Sequence, residues 1–233
     1  MKADRPTDDY EKGIAVMADD VLVEGFDISG FWSGIYGGLG FPVQGGHIVR
    51  NLIHGCVSEG ITMSGSRDYE IGHNTVEGTP TGIMLNGANT RVHIHNNRVT
   101  ASRGDGIRLW LSPGCVVDHN VCEDNAWDGI YLAQSPECTA DHNRACNNGW
   151  NGIEVGNSPD CTVTGNETCG NRSGITVGGS CGTRFERNLA AGNGGWDLFA
   201  VDWDGCDPTC NWYFNNRADT AYPSLELWDV KVP

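Results

Sequence analysis

The chain has 233 residues, of which 39% are hydrophobic, so it can bury a core as one large domain or two small ones. Its net charge is −15, and Lys2, Lys12 and Lys231 are its only lysines. That balance excludes counterion-driven binding to nucleic acid or anionic lipid and disfavours a polyanionic substrate unless a cation such as Ca²⁺ bridges the acids.

The opening segment, "MKADRPTDDYEKG", lacks the apolar run of a signal peptide, and no stretch approaches the roughly 20 apolar residues of a membrane span. The chain as written is therefore expected to be unexported, or extracellular if a leader has been trimmed from it. Residues 1–12 read as an N-terminal extension or partial cap. From residue 13 a repeat begins: Gly13-Ile14, Gly34-Ile35, Gly60-Ile61, Gly82-Ile83, Gly106-Ile107, Gly129-Ile130, Gly152-Ile153 and Gly174-Ile175. A second landmark accompanies it at a nearly constant spacing: Asn51, Asn74, Asn97, Asn120, Asn143, Asn166 and Asn188.

In "GIYLAQSPECTADHNRACNNGW" the alternation gives strands "GIYLA", "CTADH" and "RAC", separated by bends at "QSP", Asn143 and "NNGW". Each repeat is thus three short strands and three bends, too short for crossover helices. Coiling every repeat over the last satisfies the backbone, which predicts an all-β fold: a single-stranded right-handed parallel β-helix. About nine rungs of roughly 22 to 24 residues, spaced about 4.8 Å apart, give a rod about 40 Å long over residues 13–205, with 206–233 forming a C-terminal rung and cap.

In such a rod each repeat position becomes a column. Three residues before the Asn come Ile48, Ile71, Ile94, Val117, Ala140, Val163 and Phe185; two after it come Ile53, Val76, Val99, Cys122, Ala145, Thr168 and Ala190. Both columns are expected to face inward, and the Asn column reads as an internal asparagine ladder. Two before the Asn, an outward column holds Val49, Gly72, His95, Asp118, Asp141, Thr164 and Glu186. "DHN" at 118–120 and 141–143 is then an outward acid, a bend residue and a ladder Asn, doubled by the repeat. Against that solvated-flank reading stands a metal reading, in which Asp118, His119, Asp141, His142 and His95 lie within about 5 Å of their counterparts on the next rung, a spacing that suits Zn²⁺ or Cu²⁺. Cys115, Cys138 and Cys161 form one inward column of packing thiols. Cys146 and Cys169, an outward neighbouring pair, and Cys206 and Cys210, a C-terminal pair, are the pairs open to bridging.

The rhythm "N-x-V/I … GI-x-L … S-P/x-x-C/T-V" resembles the right-handed parallel β-helix repeat proteins of the pectate-lyase-like superfamily over roughly residues 13–205. The resemblance implies the fold and leaves many chemistries open: polysaccharide lyases, polyuronate epimerases, glycoside hydrolases and accessory proteins of copper-enzyme maturation. It also implies that substrate lies along the outward face of the Gly-Ile strands and the bend before them. The "DPH" signature of alginate epimerases and the "GHG" motif of polygalacturonases are absent here.

That face concentrates the candidate catalytic residues Asp105, Arg108, Asp128, Tyr131 and Glu154, and the candidate substrate-binding residues Tyr36, Trp110, Trp127, Trp150 and Asn151. Asp105 and Asp128 fit a retaining glycosidase pair or a Ca²⁺ pair, and Asp105 with Glu154 comes nearer an inverting separation. Arg108 beside Tyr131 matches the family's bases for proton abstraction. Ca²⁺ is the one cofactor these acids admit, and none is required. The leading expectation is a carbohydrate-active enzyme (lyase, epimerase or hydrolase) acting on a poly- or oligosaccharide, with no nucleic-acid or membrane partner and with homo-oligomerisation open. The alternatives are a non-catalytic glycan-binding or assembly module, a metal-handling accessory protein, and an isomerase or cyclase acting on a small metabolite.

Overall fold

A computed structural model describes residues 11–38, 40–202 and 205–224. Among them, strands of two to six residues assemble into one ten-stranded and two nine-stranded sheets, and every strand pairing is parallel. The partner of each strand is the third strand along the chain, so Ile107 lies beside Ile130, and Ile130 beside Ile153. The chain is a parallel β-helix of about nine turns, with a 3₁₀ turn at Pro208–Cys210 as its only described helix. The expected extension at 1–12 and cap at 206–233 fall partly outside the described residues. Within the second of these, Trp212–Phe214, Arg217–Ala218 and Ala221–Tyr222 add a strand to each sheet.

The two inward columns form the core. Ile48, Ile71, Ile94, Val117, Val163 and Phe185 from one, and Ile53, Val76, Val99 and Cys122 from the other, have no exposed surface. Cys115, Cys138 and Cys161 are buried and unbridged, as their column requires. The glycine of each Gly-Ile pair has a steric cause. A Cβ at Gly129 would lie 2.7 Å from the Gly152 carbonyl oxygen on the next turn and 2.8 Å from the Asn148 side-chain nitrogen. Only a hydrogen fits between successive turns there.

The asparagine ladder is continuous. Asn120 accepts from the Asn97 backbone N–H at 2.9 Å, and its amide donates to Ile94 O at 2.9 Å and to Asn143 Oδ1 at 3.0 Å. The ladder runs on past Asn188 to Asn216, which lies 28 residues further along rather than 23. The residue before each ladder Asn (Arg50, His73, Asn96, His119, His142, Gly165 and Arg187) turns the corner with positive φ. Two further ladders escape the sequence reading. Asn125, Asn148, Asn171 and Asn193 line the bend before the Gly-Ile strands, and Asn89, Ser112, Ser135, Ser158 and Ser180 line the bend after them. All three corners of the rod therefore satisfy their backbone groups from inside.

Three expectations need correction. Val49 and Gly72, assigned to an outward flank, are buried, Gly72 because the His95 ring occupies the space where its Cβ would stand. Cys146, also placed outward, is fully covered where it bridges to Cys169. Cys206 and Cys210 do not form a private pair, because both sulfurs converge on Cys181.

Candidate functional site

The strands Ile107–Trp110, Ile130–Ala133 and Asn151–Gly156 stack in register, aligning Arg108, Tyr131 and Glu154 in one outward column. Two residues before the Ile of each strand stands a second column, Asp105, Asp128 and Asn151. These residues extend the internal bonding pattern: Asp105 Oδ1 accepts from the Asp128 N–H at 3.2 Å, and Asp128 Oδ1 accepts from the Asn151 N–H at 2.8 Å. One oxygen of each Asp is thus committed to the backbone. Around the other oxygens lies a cavity of about 280 Å³, floored by Asp105, Asp128, Glu154, Arg108 and Tyr131 and walled by Trp127 and Trp150.

Burial sets the electrostatics. Asp105 and Asp128 keep only 2% and 5% of their surface, less than their outward position in the sequence suggests, because the neighbouring side chains close over them. Burial, then the charge of Glu154, then that of Asp105, pushes the Asp128 carboxyl up to about 8, although the Asn151 N–H opposes the shift. Glu154 is raised as well, by burial first, against hydrogen bonds from Asn151 Nδ2 at 2.7 Å and from Asp128. Burial also raises Asp105, opposed by the Asp128 N–H and by Arg108, whose Nη1 is 3.5 Å away. Three acids around one guanidinium compete for charge where burial weakens their hydration, so Asp128 and Glu154 retain a proton between them near neutral pH.

Arg108 lies with its guanidinium carbon 5.3 Å from the Tyr131 ring centroid, and its Nε is buried without a hydrogen-bond partner. Tyr131 is itself raised, by burial and by Glu154, and stays a neutral hydroxyl. Trp127 and Trp150 are each 52% exposed, flat surfaces at the rim of a proton-holding floor. Trp150 and Glu154 are shared with an adjoining cavity of about 550 Å³, along which Thr176 and Phe199 continue the Arg108 column. Arg172 also lines it, its guanidinium carbon 5.2 Å from the Trp150 ring centroid.

Of the remaining candidates, Trp110 and Tyr36 lie apart, whereas Asn151 bonds both Asp128 and Glu154. Asn151 borders the larger cavity and ties Glu154 to Thr176. Trp110 is outside both cavities, its Nε1 donating to Gln134 at 3.3 Å, and Tyr36 stands in the same column as Arg108 but beyond Thr62 and Met84. The sequence reading passed over Arg172 and Phe199. Phe199 could have been found by carrying the outward column one repeat beyond Thr176.

Neither metal expectation is assembled as a site. Among the described residues, the sets of three His, Cys, Asp or Glu donors within 4.8 Å of one another are Cys181, Cys206 and Cys210, and Cys146, Glu167 and Cys169. The cavity acids do not fit Ca²⁺, since two of them each give an oxygen to the backbone and Arg108 sits among them. Asp118, His119, Asp141, His142 and His95 instead join an array of imidazole–carboxylate pairs. Glu70 takes His47 at 2.6 Å and His95 at 2.8 Å; Asp118 takes His93 and, at 2.8 Å, His119; Asp141 takes His142 at 2.7 Å. A cavity of about 390 Å³ near Asp19, Gln44 and Arg67 is lined by no buried ionisable group.

A continuous three-sheet parallel coil with ladders at its corners defines a class, the β-solenoids. Within that class, residues 7–99 and 42–190 match the family described as the right handed beta helix region, and the chain belongs to it. No curated protein matches the sequence. Among solved structures, the chain is similar to the A-module of the mannuronan C-5 epimerase AlgE6 of Azotobacter vinelandii, with TM-score 0.70 and 15% identity, over 94% of this chain and 76% of that one. A variant of the periplasmic alginate epimerase AlgG follows with TM-score 0.69 and 19% identity, over 90% and 51%. The Dettilon tailspike protein aligns with TM-score 0.59 and 14% identity, over 90% and 54%. The chain thus spans about half the length of the latter two. At these identities the likeness is one of fold.

Proposed function

We propose that the chain is a carbohydrate-active enzyme that works by acid–base chemistry in the cavity floored by Asp105, Asp128 and Glu154. The observation that carries the proposal is one cavity lined by two buried carboxyls, Asp105 and Asp128, by the half-buried Glu154 and by two exposed tryptophans. Indole faces stack on the apolar faces of sugar rings, and carboxyls raised toward neutrality can donate and accept protons at working pH. In this reading Trp127 and Trp150 hold the saccharide along the rod axis. Asp128 gives its proton to the leaving or departing oxygen, and Glu154 receives one from water or from a sugar carbon. Arg108, fixed between Asp105 and Tyr131, stabilises negative charge that develops on the substrate. The fold shared with two alginate epimerases supports a saccharide substrate.

The test is turnover on a panel of neutral and acidic polysaccharides by the wild type and by Asp128→Asn. Loss of general acid catalysis removes about 10²- to 10⁴-fold in rate, while binding to the tryptophans persists. A second reading, a glycan-binding module, is favoured by the exposure of Trp127 and Trp150, which need no proton transfer to bind. It predicts no turnover on any saccharide, and weaker binding in Trp127→Ala and Trp150→Ala.

A further inference from the structure

The turn that follows the larger cavity departs from the repeat. After Ile130–Ala133 and Ser173–Gly178 the chain reaches its next inward position through residues 134–137 and 179–182, whereas after Leu198–Val201 it takes the longer path 202–210. The described residues of that inserted loop carry no strand, only the 3₁₀ turn Pro208–Cys210. Its backbone reaches the preceding turn through Cys210 O, which accepts from the Gly182 N–H at 3.3 Å. Sulfur holds it more firmly.

Cys181 occupies the repeat position held by Pro113, Pro136 and Pro159 in earlier turns, so a thiol replaces the bend proline where the longer loop must dock. Its Cα lies 5.8 Å from that of Cys206 and 5.3 Å from that of Cys210, and the latter two sulfurs are 3.3 Å apart. A sulfur forms one disulfide at a time, so a bridge from Cys181 to either partner leaves the third thiol beside it. A disulfide uses two of the three sulfurs, whereas a thiophilic cation uses all of them. All three residues are partly exposed, so an ion has an entry path.

We propose that, when reduced, Cys181, Cys206 and Cys210 form a three-thiolate site for one soft d¹⁰ cation of the Zn²⁺ or Cd²⁺ type, with water completing a tetrahedron. Reaching it from the bridged form takes two electrons and two protons, either from two thiols that leave as a disulfide or from a phosphine and one water, the phosphine leaving as its oxide; the cation then displaces the thiol protons to solvent. Loading fastens loop 202–210 to the rod. Because Phe199 and Val201 line the larger cavity immediately before that loop, the site also fixes one wall of the groove.

The probe is Cd²⁺, titrated into the full chain after reduction with a phosphine and removal of metal, and followed by ultraviolet thiolate-to-cadmium charge transfer, with circular dichroism confirming the fold. One Cd²⁺ per chain is expected. Cys181→Ser should weaken it by at least about tenfold, and Cys169→Ser, at the other sulfur cluster, should leave it intact. The melting temperature should rise on loading in the wild type and not in Cys181→Ser. The proposal is overturned if the folded, reduced chain takes up no Cd²⁺, if Cys181→Ser binds it as tightly as the wild type, or if the bridge at Cys181 withstands the reductant while the fold is native.

Discussion

Replacing Asn120 with Ala tests the ladder where its cost can be worked out from named groups. Its side-chain oxygen accepts from Asn97 N–H, and its amide donates to Ile94 O, Asp118 O and Asn143 Oδ1, in a position only 1% exposed. Alanine strips the partner from Asn97 N–H and the donor from Ile94 O in a space that water cannot easily enter. At about 1 to 3 kcal/mol for each buried group left unsatisfied, the loss is about 2 to 6 kcal/mol. For a chain of this size each kcal/mol shifts the melting point by about 2 to 4 °C. Asn147 is the contrast. It is exposed, sits at φ 57°, and glycine adopts that conformation freely. Asn147→Gly should therefore cost no more than about 0.5 kcal/mol. Thermal melting followed by circular dichroism should separate the two variants by at least about 3 °C. Equal melting points would refute the assignment of the fold's corner energetics to the ladder.

Turnover should depend on Asp128 in a way that identifies its role: with the carboxyl raised to about 8, a rate that needs it as acid falls as pH climbs through about 8, whereas a rate that needs it as base rises there. A rate unchanged across that range would remove Asp128 from the chemistry. Arg108→Lys should lower activity on any substrate whose transition state is anionic, since an ammonium cannot reproduce the planar fork against Tyr131; unaltered kcat/KM on such a substrate speaks against that role. Glu70 is held below its usual range, by the hydrogen bond from His47 and then that from His95, with burial opposing. A depressed carboxyl contributes stability that is present above its unfolded value of about 4.3 and lost as pH falls through the folded one. Glu70→Gln should then lower the melting point near pH 6 and converge with the wild type as pH falls below the folded value, and parallel curves would show that the pair contributes nothing. In the native chain Cys115, Cys138 and Cys161 should resist alkylation until unfolding, and rapid labelling of all three would reverse the strand parity.

The fold was legible because a stacked rod turns sequence period directly into spatial column. Gly129 and Asn143 recur at fixed intervals since each touches its own counterpart one turn away, so a single strand of evidence repeats along the chain. The Ser ladder of Ser112, Ser135, Ser158 and Ser180 was harder to read. Serines in a Ser-Pro bend have an adequate local explanation as turn formers, and only the inter-turn contacts show them bonding along the stack. The convergence of Cys206 and Cys210 on Cys181 was hidden by a loop that breaks the period, leaving counting with no register to follow.

The candidate site sits between those cases. Its seven residues could be placed on one face from the repeat, but their burial could not, because alternation assigns Asp105 and Asp128 outward without saying what closes over them. What covers them is chemistry of the outward column itself: Arg108 stacks toward Tyr131, and Glu154 is drawn back by Asn151. Two residues before the Ile of their strands, Asp105 and Asp128 each give one oxygen to the backbone N–H of the next turn, and the second oxygen of Asp105 meets Arg108. A repeat built for stability thus needs only one substitution per turn, a carboxylate at a corner already shaped to hold a hydrogen-bond acceptor, to line up ionisable groups about 5 Å apart. At that spacing the carboxyls compete for charge. The raised proton affinity of Asp128 then follows from burial and from the charge stacked beside it, at the cavity where the proposed function has Trp127 and Trp150 receive a sugar ring.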